Sequence, residues 1–562
     1  MKKGGVFLAS VLAGFASAQT PAPNSAEIES RDAQTTFSTR VNLVMVPVVV
    51  RDKQGRAVGT LQKEDFQLAD KGKLQLITRF AVEKSSDRLA VKPIRSEGAA
   101  EDPTAAPVVI ANRFTAYLFD DLHIEFGDLV RSRDAARRHL DSLQDSERAA
   151  IFTTSGRTML EFTDDREALH RALSQIQPRP RIASSECPPM TFYMADLIQN
   201  RNDPTALSAA ADDTMACANM DPSMRPMAVQ MAQGAAARAV AEGNQDTQVA
   251  LSVLKDVVRR MGATPGQRSI VLVSPGFLLT IDYRQEETDI LDRAIRNNLT
   301  ISSLDARGLY VTGDDLSQRN SSGSAASAIA KRMYQTLGAS ADADILAELA
   351  YGTGGTFFQN NNDFDDGFRR IAALPEFVYI LGFAPQNLKY DGAFHALKVS
   401  LKIKNGLTLD ARRGYYAPKH ALDSAEQAKQ EISEALFSRE ETHDIPVDLQ
   451  TQFFKLAADE ARLAVVAKVD LKHLRFRKEE GRNRNTLTVV SGVFDRNGKL
   501  VSAQEKTVEM RLKEETLEAR LAAGLAIKTS FDVIPGSYVI RVVVRDSEGQ
   551  LMTARNGVVQ IP

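Results

Sequence analysis

The apolar residues of this chain follow two rhythms. Between about residues 108 and 385, short solid apolar runs alternate with stretches in which apolar positions recur every third or fourth residue. Solid runs fit parallel strands buried on both faces, and the longer period fits helices that cover them. Outside that region, Val-rich segments are separated by turns such as Asp52–Gly55, Asp495–Gly498 and Asp546–Gly549. That is the punctuation of antiparallel β structure. The alternation of strand and helix predicts an α/β sheet wound on both faces.

The run Phe114–Phe119 opens that sheet and ends in two acids, Asp120 and Asp121. A helix over 128–143 follows, then a strand over Arg148–Thr154 with Thr158–Phe162 as its antiparallel neighbour. Asp164 or Asp165 caps a helix running to Gln177. An Ala-, Met- and Asn-rich insertion, 178–245, reads as several helices beside the sheet. A helix over Thr247–Met261 leads to strands over Gln267–Ser274 and Leu299–Asp305, with a helix over Asp289–Asn297 between them. Helices over Asp342–Ala350 and Phe364–Ala373 flank a short strand, Thr356–Phe358. Phe377–Phe383 is expected as the last strand, and a hairpin over 394–416 extends the sheet or packs beside it.

Length sets the larger divisions. A chain of 562 residues exceeds what one core holds. The pattern divides it into a small β unit (36–84), a polar linker (85–107), the α/β domain (108–418), a helical connector (419–444) and a C-terminal Ig-like β-sandwich (445–562). Lys2 and Lys3 precede an apolar run from Val6 to Phe15 and the small residues Ala16–Ala18. This order predicts a signal peptide over 1–18, cleaved after Ala18, and a flexible lead over 19–35. No later segment is long and apolar enough to span a bilayer, so the mature chain is expected to be exported, periplasmic or extracellular. Cys187 and Cys217 are then expected as a disulfide stapling the insertion, the alternative being two free buried thiols. A net charge of −2 gives no reason to expect nucleic acid or an anionic membrane as partner.

Candidate chemistry gathers at strand ends, where ligands of such sheets sit. Ser274 follows a strand as a nucleophile would, with His123 near the same edge as a base, but Leu272 stands where the nucleophile elbow has glycine. Gly352–Gly355 runs helix, glycines, strand, the reverse of a phosphate cradle, and reads as a helix C-cap. Asp363, Asp365 and Asp366 read as helix-capping acids.

Several motifs together carry a family resemblance. Val46–Asp52 and Glu64–Phe66 precede the α/β domain; Tyr117–Leu122, Pro265–Phe277, Ser303–Leu309 and Gly352–Gly355 lie within it; and Arg412–Tyr416 closes it. Over about 37–418 the chain resembles the von Willebrand factor A (VWFA)-related domains of the exported bacterial group described from Acidobacteria. The resemblance implies a VWA- or Rossmann-like doubly wound fold and an interaction or adhesion role toward an extracytoplasmic protein, without catalysis. It also implies a metal-ion-dependent adhesion site in degenerate form. Asp120 takes the place of the leading acid, Leu122 and Ile124 the places of the two serines, Thr247 that of the later threonine and Ser274 that of the last acid, with Asp121 and His123 beside them. No cofactor is expected from this set, and Mg²⁺ is the ion it would take if any. The other readings are an exported hydrolase using Ser274 and His123, and a structural envelope component.

Overall fold

The computed structural model describes residues 27–33, 44–53, 57–84, 111, 113–179, 187–310, 325–372, 377–385, 393–402, 406–417, 424–437, 441–457 and 459–562. The expected signal peptide, with Ala18, and the linker 85–107 lie outside these residues.

A six-stranded sheet forms the middle of the chain. In space its strands run Phe357–Phe358, Leu299–Asp305, Gln267–Ser274, Arg113–Phe119, Glu147–Thr153, Met159–Thr163. Neighbours are parallel except the last pair, which is antiparallel. The chain starts in the middle, winds to one edge, then returns and winds to the other. The winding therefore reverses between Arg113–Phe119 and Gln267–Ser274, the place where a doubly wound sheet opens a crevice at its strand ends. Every residue of Arg113–Phe119 is buried, as a central strand covered on both faces requires. Phe114, Ala116 and Leu118 face the helices Arg225–Met261, Arg284–Arg296 and Ala325–Thr353. Tyr117 and Phe119 face Phe126–Asp141, Arg166–Gln175 and Phe364–Ala372.

Local signals set the helix ends. The Asp165 carboxylate accepts from the Ala168 amide at 2.9 Å, and Asp363 accepts from Asp366 at 2.9 Å. Gly354 adopts φ +81° just past Thr353, the left-handed conformation of a helix end. Two helices are longer than their periodicity suggested. Arg225–Met261 has 37 residues and runs through the expected insertion boundary at 245, and Ala325–Thr353 has 29. Their leading halves pack with Phe192–Gln199 and Pro204–Cys217 through small residues, Ala206, Ala210, Ala232, Ala236 and Ala330, around Met194, Ile198 and Tyr334. Cys187 and Cys217 are joined by a disulfide.

Three expectations are corrected by strand pairing. Phe377–Phe383 does not close the central sheet; it lies between Val44–Arg51 and Arg79–Lys84. Val44, Val46, Val48 and Val50 point one way along their strand, and Tyr379, Leu381 and Phe383 join them in one core. Alternation declares that a strand has one buried face but does not name the strand beside it. Of the two placements expected for the hairpin strands, extension of the central sheet fails: Phe394–Leu401 pairs with Phe66–Asp70, and Thr408–Ala411 with Val44–Arg51. Within this second pair of sheets, the Tyr415 hydroxyl donates to Asp70 Oδ2 at 2.7 Å, and His395 Nδ1 lies 3.3 Å from Asp70 Oδ1. All three side chains are buried. The third correction concerns the expected flexible lead. Ile28–Ala33 is a strand, paired antiparallel with Leu500–Leu512 of the C-terminal region.

That C-terminal region has two antiparallel sheets closing on one apolar core. It meets the central sheet at the starts of the parallel strands. Asn497 accepts from Arg148 Nε at 3.2 Å and Arg496 pairs with Asp164 at 2.7 Å, while the carbonyl of Phe437, at the end of the connector helix Ser424–Phe437, accepts from Arg268 at 2.7 Å. The opposite edge, where the strands end, is left to other elements.

Candidate functional site

Asp120 follows the last residue of Arg113–Phe119, and its amide donates to the Val273 carbonyl of the neighbouring strand at 2.9 Å. Parallel pairing brings the ends of three strands together here, so Thr154 and Ser274 arrive beside the carboxylate. Thr154 Oγ1 donates to Asp120 Oδ1 at 2.8 Å and Ser274 Oγ to Oδ2 at 2.6 Å. His123 turns back from the next loop and places Nδ1 2.8 Å from Oδ1 and 2.9 Å from Oδ2, with its ring stacked on Phe277 at 5.1 Å. Asp120 is fully buried. Burial by itself would raise its pKa; the positive charge of His123 and the hydrogen bonds from His123, Ser274 and Thr154 outweigh burial and hold it below the ordinary carboxylate value.

The other expected residues divide. Asp121 accepts from the Ser155 amide at 2.8 Å and the Ser155 hydroxyl at 2.5 Å, so it fastens the adjacent loop. Thr247 is buried and donates to the Leu278 carbonyl at 3.2 Å, with no hydrogen bond to either acid. Leu122 and Ile124 are buried, one in each core flanking the sheet. Gly276 (φ +86°) passes so close to the helix Ala325–Thr353 that a Cβ there would lie 2.0 Å from the Asp342 carbonyl oxygen. One strand further out, Arg307 grips Asp305 through two bonds, of 2.9 and 2.7 Å.

These donors do not fit a divalent cation. Mg²⁺ requires oxygen lone pairs open to it in near-octahedral array. Both Asp120 oxygens already accept from protein donors, Ser274 spends its proton on Asp120, and the two expected hydroxyl positions carry aliphatic chains in the core. Among the described residues no group of three or more His, Cys, Asp or Glu is placed to hold a metal. The arrangement also differs from a nucleophile relay, in which the imidazole stands between hydroxyl and carboxylate. Here the carboxylate stands in the middle and the serine is buried.

Sequence reasoning missed Thr154 in this knot, although it ends the strand that must lie beside Arg113–Phe119. It also missed a set of exposed apolar side chains. Phe126, Met159, Ile281 and Leu309 are 70%, 57%, 86% and 64% exposed. Phe126, Ile281 and Leu309 lie just past the carboxyl ends of Arg113–Phe119, Gln267–Ser274 and Leu299–Asp305, and Met159 opens the antiparallel strand opposite Phe152, near the carboxyl end of Glu147–Thr153. The topology thus puts all four on the edge that carries Asp120.

No protein-family model matches the sequence, and no curated protein matches it. Among solved structures, an aerotolerance-related membrane protein from Bacteroides fragilis aligns over 46% of this chain and 96% of its own, at 11% identity and TM-score 0.22. Three N-terminal domains of the type V pili tip protein Mfa5 from Porphyromonas gingivalis align over 93% of this chain and 78% of theirs, at 9% identity and TM-score 0.19. A Bacteroides uniformis β-glucuronidase 2 structure aligns over 20% of this chain and 13% of its own length, at 13% identity and TM-score 0.15. Likeness at these scores is too slight to assign a fold or an activity.

Proposed function

We propose that this chain is an exported, non-catalytic protein of the VWFA-related kind, binding or adhering to an extracytoplasmic protein through the loop rim at the carboxyl ends of its central strands. The observation that carries the reading is the rim itself: four exposed apolar side chains, Phe126, Met159, Ile281 and Leu309, beside the carboxyl ends of four strands at one edge. Exposed apolar groups held along one edge of a rigid sheet are a usual way to present a binding surface. The buried Asp120 knot supports it from below, fixing the loop ends without exposing a charge.

The test is capture from an envelope extract by the immobilised chain, with and without chelator, beside an Ile281→Asp, Phe126→Ser double variant. Capture should survive the chelator and fall at least tenfold in the double variant, about 1.4 kcal/mol of binding free energy or more. Chelator-sensitive capture would restore the metal-dependent mode. Undiminished capture by the double variant would move the surface elsewhere.

A further inference from the structure

We propose that the strand Ile28–Ala33 is exchangeable between molecules, and that the sheet edge Leu500–Leu512 accepts this same strand from a second copy of the chain.

The strand joins the edge through six residue pairs, from Ile28 opposite Met510 to Ala33 opposite Glu505. Its sequence is Ile-Glu-Ser-Arg-Asp-Ala. Ile28 packs against the core of the two C-terminal sheets, whereas Glu29, Ser30, Arg31 and Asp32 are exposed. A strand whose core contact is a single residue has little to fix its register or its owner, and weakly patterned strands are prone to slippage and swapping. What holds it is main-chain pairing plus charge. The Glu27 carbonyl accepts from the Arg511 amide at 2.8 Å. Asp32 lies 3.2 Å from Lys506, and Glu27 lies 3.9 Å from Arg482 and 4.0 Å from Lys513. These pairs sit at the surface and add little stability each, but they set acids of the strand against bases of the edge.

The edge suits an incoming strand. Leu500–Leu512 has 13 residues, of which Glu505–Met510 are covered, and an uncovered strand edge offers a row of unpaired main-chain groups. The next described strand, Val44–Arg51, belongs to a different sheet, so neither strand is paired with the other's neighbours. A copy's strand would reproduce every contact, because the sequences are the same. Exchange then costs only what association itself costs.

Two full-length single-cysteine variants of different size, Arg31→Cys and Thr507→Cys, test this, since those positions face each other across the pair. The native disulfide stays in both, and wild-type chain run alongside gives the background. Mixed under mild oxidation, the two should form a covalent mixed dimer. Its yield should rise with concentration and fall in excess free peptide of residues 27–33. The double variant in one chain should link internally when dilute. Internal linkage at every concentration with no mixed dimer would overturn the proposal. So would the absence of both products, because the strand would then not occupy this edge. Equal suppression by an unrelated acidic peptide would also overturn it, by making the edge a general peptide site.

Discussion

Two buried carboxylates each gather a histidine and at least one hydroxyl, one at the end of the central sheet and one between the second pair of sheets. Asp120 is met by a histidine three positions away and by hydroxyls from 34 and 154 positions away, and both of its oxygens accept. Asp70 is met by His395 and Tyr415, which are 325 and 345 positions away. Its histidine keeps Nε2 buried without a hydrogen-bond partner among the described residues. The first knot is complete, and it sits where a doubly wound sheet would hold a ligand. The second is incomplete, and it ties an early segment to strands far along the chain. A filled carboxylate at a ligand position has been withdrawn from ligand chemistry. A partly filled one between distant strands acts mainly as a stitch, and buried polar groups without partners make such stitches expensive to break.

Substitution at Asp120 is the largest blow to this contrast. Asp120→Ala leaves His123 and Ser274 facing a space with no acceptor and Thr154 with only its longer bond to Asp121, at 3.2 Å, and should cost about 3–5 kcal/mol by urea unfolding. A loss under about 1 kcal/mol would mean that those donors find other partners and the knot is dispensable. Acid comes next. The native pKa of Asp120 lies below its ordinary value, so its contribution is present in full above about pH 4 and is lost as pH falls through the native value. Unfolding midpoints measured between pH 7 and pH 3 should therefore fall more steeply for wild type than for Asp120→Asn; parallel curves would sink the assignment. The smallest effect sharpens the other side. Tyr415→Phe removes one donor from Asp70 and should cost about 1 kcal/mol, with rim-dependent capture unchanged. A change in capture would show that the two knots communicate.

Much of the central sheet could be read from sequence because its strands are solid apolar runs, and the acids at 120–121 mark where the first one ends. Its partners at the site could be read only in part. Ser274 and Asp120 both end neighbouring strands, so parallel register brings them together. His123 was legible as a neighbour but not as the group that fills the carboxylate, since that depends on how the loop turns. Thr247 falls beyond hydrogen-bond reach because its helix is continuous and its hydroxyl is used by Leu278. The pairing of Phe377–Phe383 was hidden because alternation is silent about neighbours. Ile28–Ala33 was hidden because a strand anchored by one apolar residue has no period to detect. The exposed rim went unseen because an isolated apolar residue in a loop gains meaning only when topology sets others beside it.

The helix Arg225–Met261 has a mechanical consequence. At 1.5 Å per residue its 37 residues make a rod about 55 Å long. Its trailing half is clamped to the central sheet through Leu251, Leu254, Val257 and Val258, while its leading half carries the disulfide-stapled helices. At the fulcrum between the two halves, Thr247 holds the Leu278 carbonyl, three residues before Ile281 at the rim. The rod, the stapled helices on its leading half and the segment that leads to Ile281 are thus tied together at one point, Thr247.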